Sequence, residues 1–328
     1  MRVTSSTFPT QLKTESNDLL NRENTLNQQI STGMNIINPS DDVAGFGDLT
    51  AYRTDAATAQ QYAANTGTAQ TAAQTSYQGM ADLQTLMSRV SDLVTEANGT
   101  SDSSTYNVIG TEMSTLADQI VSIVNRQSDG VYLYGGTANV APLIANPTAG
   151  ATPPYVLNTS TGYNGDVSST TINTNLTVSL GITAGSTGGN GSTFNGFLYK
   201  AGQTNTDTYT LVASLAKEML GSTDNADGTT SDPFTAEGGY QGALKQVNAA
   251  VSLTAESVGI TSAKLTQLTT NATSLSNQSS NLEKTISNRG DANTAALATD
   301  LTTVQTAYQA ALQSGSKILS MSLLDYIN

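Results

Sequence analysis

The chain has no cysteine, no histidine and no tryptophan. Those absences remove the commonest nucleophile, the commonest acid–base group and the soft metal ligands together, leaving thiol, zinc and haem chemistry without their usual ligands. Charge is scarce too: 12% of residues are charged, and the 13 lysines and arginines are scattered singly against a net charge of −13. Nucleic-acid binding needs clustered cations to displace counterions, and a lipid anchor needs a polybasic run; the sequence supplies neither, so no nucleic acid and no membrane are expected as partners. No apolar run approaches a membrane span, and Met1-Arg2-Val3-Thr4-Ser5-Ser6 leads into polar sequence without an apolar core of a signal peptide. By signal alone the expectation is a cytosolic chain. The Thr/Asn/Gly-rich, cysteine-free middle suits a protein that lives outside the cell, and export without a cleaved peptide reconciles the two.

What is present is periodicity. The 328 residues can hold two or three domains and a sizeable core. Leu297, Leu301, Val304, Tyr308, Ala311, Gly315 and Ile318 follow 4-3-4-3-4-3 spacing, a single stripe down one side of a helix, with Leu312, Leu319, Leu323, Leu324 and Ile327 beside or beyond it. Near the other end Leu12, Leu19 and Leu26 recur every seven residues, and Ile30 and Ile37 extend the stripe. Each stripe belongs to one helix with too little neighbouring chain to cover it. The two most simply cover each other, or cover neighbouring copies. Isolated helices of this length are marginal in water, so both ends are expected to be largely unfolded in a free monomer and to fold on assembly.

Between the stripes, the first helix is predicted from about Thr10 to Thr32, ending at Gly33. Pro39 biases Asn38 away from helix and forces an extended link. Ser40 then reads as an N-cap, with Asp41 and Asp42 in the first turn, where the helix dipole favours anions. A second helix from Val43 to Ala97, if unbroken, spans roughly 80 Å and ends at Asn98-Gly99. A third carries Tyr106, Ile109, Met113, Leu116, Ile120 and Ile123 and is expected to end at Ser128-Asp129-Gly130. From Val131 the pattern changes to short apolar runs broken by Pro, Gly and Asn. Val131–Tyr134, Pro153–Leu157, Thr171-Ile172, Leu176–Val178 and Phe197–Tyr199 read as strands. A short helix from Tyr209 to Leu220 and an acidic Gly-rich loop from Gly221 to Gly239 follow. Helix returns at Tyr240, with Val258, Leu265, Leu268, Ala272, Leu275, Leu282 and Ile286 as its stripe up to Asn288.

The predicted fold is therefore mainly α with a β-rich insert: a long antiparallel helical bundle, a coiled-coil rod, built from both chain ends, with a projecting β domain. The expected division is residues 1–42 and 289–328 as terminal helices of an assembly core, 43–130 and 240–288 as the bundle rod, and 131–239 as a β-rich outer domain.

No catalytic constellation emerges. Asp41 and Asp42 are adjacent on a helix and point about 100° apart, so they do not converge on one ion. Gly45-Phe46-Gly47 lacks the strand and third glycine of a dinucleotide loop. Asp224, Asp227, Gly228 and Asp232 miss the spacing of a calcium loop. Arg289-Gly290-Asp291 spells an adhesion tripeptide at a helix break, where glycine is wanted for the backbone. Six Asn-x-Ser/Thr sites, among them Asn98, Asn158 and Asn271, carry no meaning without a secretory route. A hydrolase in the insert would need two convergent acids, and residues 131 to 206 contain only Asp166. The expectation is no enzyme, no cofactor and no metal.

Gln29-Ile30-Ser31-Thr32-Gly33-Met34-Asn35-Ile36-Ile37-Asn38-Pro39-Ser40-Asp41-Asp42-Val43-Ala44-Gly45 resembles the N-terminal signature of the bacterial flagellin superfamily, and its Asn-Pro-Ser-Asp-Asp form is similar to the hook-associated protein 3 branch, the hook–filament junction proteins. Ser128–Gly136 resembles that family's turn into its outer domain, and Ser320-Met321-Ser322-Leu323-Leu324-Asp325-Tyr326-Ile327 its C-terminal tail. The resemblance covers roughly the first 140 and last 90 residues. It implies terminal helices in a tubular core, export through the flagellar type III channel, a flagellar export chaperone on the last helix, and a homo-oligomeric ring or helix. It also implies contact with the preceding hook-associated protein on one side and flagellin on the other. A flagellin filament subunit, or a secreted adhesin binding through residues 131 to 240, are the alternatives.

Overall fold

The computed structural model describes residues 7–99, 102–148, 153–158, 169–174, 176–179, 183–184, 196–198, 207–222, 234 and 236–327. Helices dominate: α1 (Thr7–Thr32), α2 (Val43–Asn98), α3 (Ser103–Val124), α4 (Thr208–Leu220), α5 (Tyr240–Gly290) and α6 (Thr294–Ile327). The strands come in antiparallel pairs: β1 (Gln127–Ser128) with β2 (Val131–Tyr132), β3 (Leu143–Ala145) with β4 (Tyr155–Leu157), and β5 (Ser169–Asn173) with β6 (Leu176–Ser179). The chain divides into two compact units, Met1–Gln60 with Ser276–Asn328, and Gln61–Leu275. The fold is the mainly helical one expected, with its first and last helices packed together and small antiparallel strand pairs in the middle of the chain.

In the unit of residues 61–275 the 3-4 spacing of α2 and α3 becomes one core. Met80, Leu83, Met87, Val90 and Val94 of α2 meet Met113 and Ile120 of α3, Leu215 and Met219 of α4, and Val247 of α5 in a single buried cluster. Asp102 caps α3 by accepting from the Thr105 N–H at 3.1 Å, and Asp207 caps α4 by accepting from the Thr210 N–H at 2.9 Å. Helices α3 and α4 approach to backbone contact because position 110 is glycine: a Cβ there would sit 2.9 Å from the Ala216 carbonyl oxygen.

Three details depart from the sequence reading. Helix α3 stops at Val124, before Ser128-Asp129-Gly130. That triplet turns the β1–β2 hairpin instead, with Asp129 at φ 51° and Gly130 at φ 77°, the left-handed pair of a tight hairpin turn. Only Val131 and Tyr132 of the run to Tyr134 are strand, because the Tyr134 ring turns into the core, donates to the Ser76 carbonyl at 3.0 Å and packs edge-on against Phe197. Burial pushes that phenol up to about 12, so it remains a neutral donor. Phe197 and Leu198 are not strand either. Their N–H groups bond the Thr183 and Ala184 carbonyls, and their side chains plug the core. Tyr199, Asp166 and the acidic cluster Asp224, Asp227, Gly228 and Asp232 lie outside the described residues.

Candidate assembly interface

In the other unit α1 and α6 lie antiparallel, and three contacts fix their register. Gly315 faces Leu12, where a Cβ would fall far inside van der Waals contact with Leu12 Cδ2. The Gln305 amide donates to the Glu23 carboxylate at 2.9 Å. Met34 bridges Asp291. Between the first two contacts, as one number rises the other falls nearly one for one; the Met34–Asp291 bridge lies just past the helix ends. The same register sets Leu19 level with Tyr308, Leu26 with Leu301 and Ile30 with Leu297, so the two heptad stripes match rung by rung.

Coverage is partial. Leu26 and Val304 are each 6% exposed, and Gly315 is buried. Leu12, Leu19, Ile30, Leu297, Leu301, Tyr308 and Ala311 are half-buried. Leu312 stands off the shared line at 48% exposure, and Leu20 on α1 is also exposed. The side chains of Ile318, Leu319, Leu323, Leu324 and Ile327 lie outside the described residues.

Where α1 ends, the backbone builds a joint. Gly33 takes φ 69°, the left-handed conformation that closes a helix and that glycine adopts without strain. The Asn35 N–H donates to the Gly290 carbonyl at 2.7 Å, and the Ala292 N–H donates to the Gly33 carbonyl at 2.9 Å. The Gln29 amide donates to the Asn35 carbonyl at 2.7 Å. Arg289 pairs with Asp48 at 2.7 Å, and Arg53 directs an N–H at the Met34 sulfur. These contacts tie the end of α1 and the first turns of α2 to the turn between α5 and α6.

The structure corrects the reading of the link. Pro39 and Ser40 are exposed in the turn, and the cap of α2 is Asp42, whose Oδ1 accepts from the Gly45 N–H at 2.9 Å. Asp41 is not in the first turn. Its Oδ2 reaches backwards to the Ile37 and Asn38 N–H groups, at 3.0 and 2.8 Å. Each carboxylate is committed to backbone donors, the role that short acidic side chains take in turns. The apolar stripe is corrected too. Ile36 is buried and Ile37 only half-buried, because the left-handed Gly33 breaks the helical phase that projected Ile37 inward. Ile36 Cδ1 would lie 2.7 Å from a Cβ at Gly45. Gly290 is not left-handed; Leu49 Cδ2 sits 3.3 Å from where its Cβ would be, so that position needs a small residue rather than an unusual backbone.

Sequence reasoning missed Leu49, Ile36 and the Asp48–Arg289 pair as parts of the joint. A usable signal was there in Gly33, which resets the phase of whatever follows it. Among the described residues no three His, Cys, Asp or Glu side chains gather as a metal site, and no helix is long and apolar enough to cross a membrane. The arrangement offers interlocking surfaces.

Residues 6–139 match the family model of the bacterial flagellin N-terminal helical region. No curated protein matches the chain by sequence. Among solved structures, one from Vibrio parahaemolyticus described as a flagellar hook-associated protein is 18% identical, with a TM-score of 0.58 over 76% of this chain and 100% of its own. Xanthomonas campestris FlgL is 15% identical, with a TM-score of 0.54 over 71% of this chain and 98% of its own. Flagellar hook-associated protein 3 of Legionella pneumophila is 12% identical, with a TM-score of 0.55 over 73% of this chain and 98% of its own. Residues 6–139 are thus similar to the bacterial flagellin N-terminal helical region, and the fold of the chain is similar to that of these flagellar hook-associated proteins.

Proposed function

We propose that this protein is a structural component of the extracellular bacterial flagellum, a junction adaptor seated between a hook-side hook-associated protein and the flagellin filament. The observation that carries the reading is the α1–α6 pair. Two matched stripes cover each other along one line and leave Leu312 and Leu20 uncovered beside it. A fully buried leucine is worth roughly 1.5–3 kcal/mol, and half-buried positions realise part of that until another surface arrives. Identical copies stacked head-to-tail about an axis would supply that surface, each giving one side of its pair to the next. Leu12, Leu19, Leu26, Ile30, Ile37, Leu297, Leu301, Val304, Tyr308, Leu312, Ile318, Leu319, Leu323, Leu324 and Ile327 form the proposed interface. Pro39, Ser40, Asp41 and Asp42 set the angle at which α1 leaves it.

The test is a deletion strain viewed by electron microscopy. Hooks without filaments, with flagellin shed into the medium and filaments restored by the intact gene but not by Leu312→Asp, are expected. Normal filaments on the deletion strain refute the reading. Growth of long filaments from the purified chain alone would assign it instead to the filament subunit.

A further inference from the structure

The middle stretch of the α2–α5 pair is thinly packed. On α2 it buries Ala69 and Ala73, and on α5 Leu268, with Ile172 and Val178 of the β5–β6 hairpin completing a small separate cluster. In this weak patch lies a buried carboxamide. Asn271 of α5, 9% exposed, donates from Nδ2 to Thr66 Oγ1 on α2 at 3.2 Å and to the Ile172 carbonyl on β5 at 3.0 Å. Thr66 is fully buried, and its own hydroxyl is spent on the Tyr62 carbonyl at 2.7 Å. Lesser ties flank it: Asn65 Nδ2 to the Thr171 carbonyl at 3.2 Å, and Gln70 Nε2 to Thr269 Oγ1 at 3.2 Å.

We infer that Asn271 couples the docking of the β5–β6 hairpin to the pairing of α2 with α5, so that these three segments open and close as one unit. One amide group serves two different elements. Its two N–H bonds are satisfied only when α2 and the hairpin are both in place, and a buried donor left unpaired weakens whatever contact remains. Undocking the hairpin therefore loosens the helix pair, and separating the helices releases the hairpin. An alkyl side chain at position 271 would fill the space and serve each neighbour independently. A buried polar residue that specifies one arrangement among smooth apolar ones is an established use of asparagine between helices. Asn271 also begins an Asn-x-Thr triplet, and its burial gives the residue a structural reason that owes nothing to glycosylation.

Hydrogen exchange by mass spectrometry on the full chain tests the coupling with substitutions on one element read out on another. Thr66→Val removes the acceptor on α2 and keeps the shape. Exchange across residues 169–179 should then rise about tenfold, the factor for one lost buried hydrogen bond, while the α2 core at Leu83–Val94 is unchanged. Ile172→Ala loosens the hairpin alone, and exchange at residues 66–73 and 265–275 should rise with it. In Asn271→Ala all three segments rise together, and adding Ile172→Ala then moves only the hairpin. A rise confined to the element carrying the substitution overturns the inference. So does Thr66→Val with unaltered hairpin exchange; that change is mild enough to read even if the alanine variants lose their helical signal.

Discussion

Gly315 is the sharpest test of the α1–α6 pair, because two effects of known size act on it in opposite directions. Alanine in place of glycine inside a helix gains about 1 kcal/mol from intrinsic preference. Here the new Cβ would overlap Leu12 Cδ2 and stand 3.4 Å from Leu12 Cγ and 3.5 Å from Cδ1. Forcing an extra carbon into a packed contact costs about 1–3 kcal/mol. Gly315→Ala should therefore destabilise the pair by about 0–2 kcal/mol in the native background. Leu12→Ala, trimming a half-buried leucine, costs roughly 1 kcal/mol by the same transfer scale. With Leu12 already trimmed the obstruction is gone, and Gly315→Ala should become stabilising by about 1 kcal/mol.

The prediction is a reversal of sign, and additive behaviour cannot mimic it. Local opening measured by hydrogen exchange over residues 10–30 and 294–317 is the right assay, since a global melt would mix these helices with residues 61–275. If Gly315→Ala slows exchange equally in both backgrounds, Leu12 is simply swinging aside. The close approach of the helices would then not be what the glycine provides.

Gly110→Val should destabilise the chain by about 1–3 kcal/mol in urea denaturation, because the atom it meets is the Ala216 carbonyl oxygen, which cannot rotate away; an unchanged midpoint would show α3 and α4 to be less intimate than described. Asp42→Ala should cost about 1 kcal/mol through loss of the cap to the Gly45 N–H, while Ser40→Ala stays within about 0.5 kcal/mol; equal losses would return the cap to Ser40. Burial pushes the Asp207 carboxyl up, so its contribution to stability is full below the ordinary carboxylate pKa and is lost as pH rises through the raised folded-state value. Asp207→Asn keeps the acceptor for the Thr210 N–H and removes the titration, so helix α4 in the variant should exchange more slowly than in the native chain above that value; parallel pH profiles would refute this.

Legibility in the sequence followed the range of the forces involved. The helices with regular stripes were readable because the 3-4 spacing is local: Leu211, Leu215 and Met219 of α4 and the Met113–Ile120 face of α3 are all buried as their spacing demanded. Pairing the first stripe with the last was readable as well, since neither had other cover nearby. What failed was geometry set by single backbone angles. Gly33 shifts the phase so that Ile36 takes the place foreseen for Ile37, and the Asp129-Gly130 turn makes a hairpin where a helix end was expected. Side chains with more than one possible job were also misplaced. Ser40, Asp41 and Asp42 can each cap a helix, and only the folded loop decides that Asp42 does so while Asp41 closes the preceding turn. Asn271 was visible only as a glycosylation triplet, because its partners Thr66 and Ile172 are some 205 and 99 residues away.

The scarcity of charge noted at the outset acquires a physical reading from the helix surfaces. Exposed threonines repeatedly turn their hydroxyls back to the carbonyl four residues earlier: Thr50, Thr54 and Thr58 on α2, Thr266 and Thr270 on α5, and Thr299, Thr302, Thr303 and Thr306 on α6, at 2.8–3.0 Å. Such bonds add little to helix stability, and threonine is a weak helix former, so these long helices depend on having their stripes covered. The large core around Met80, Met113 and Leu215 meets that need within the chain. Among its described aliphatic side chains, the α1–α6 pair meets it fully only at Leu26 and Val304. Along α6 the back-bonded surface also has its hydroxyls already satisfied and few ions to strip of water, so another surface could approach it without the desolvation cost that a charged helix face imposes. A chain built this way would gain most stability where a further surface closes on its first and last helices, which is the condition the proposed junction would provide.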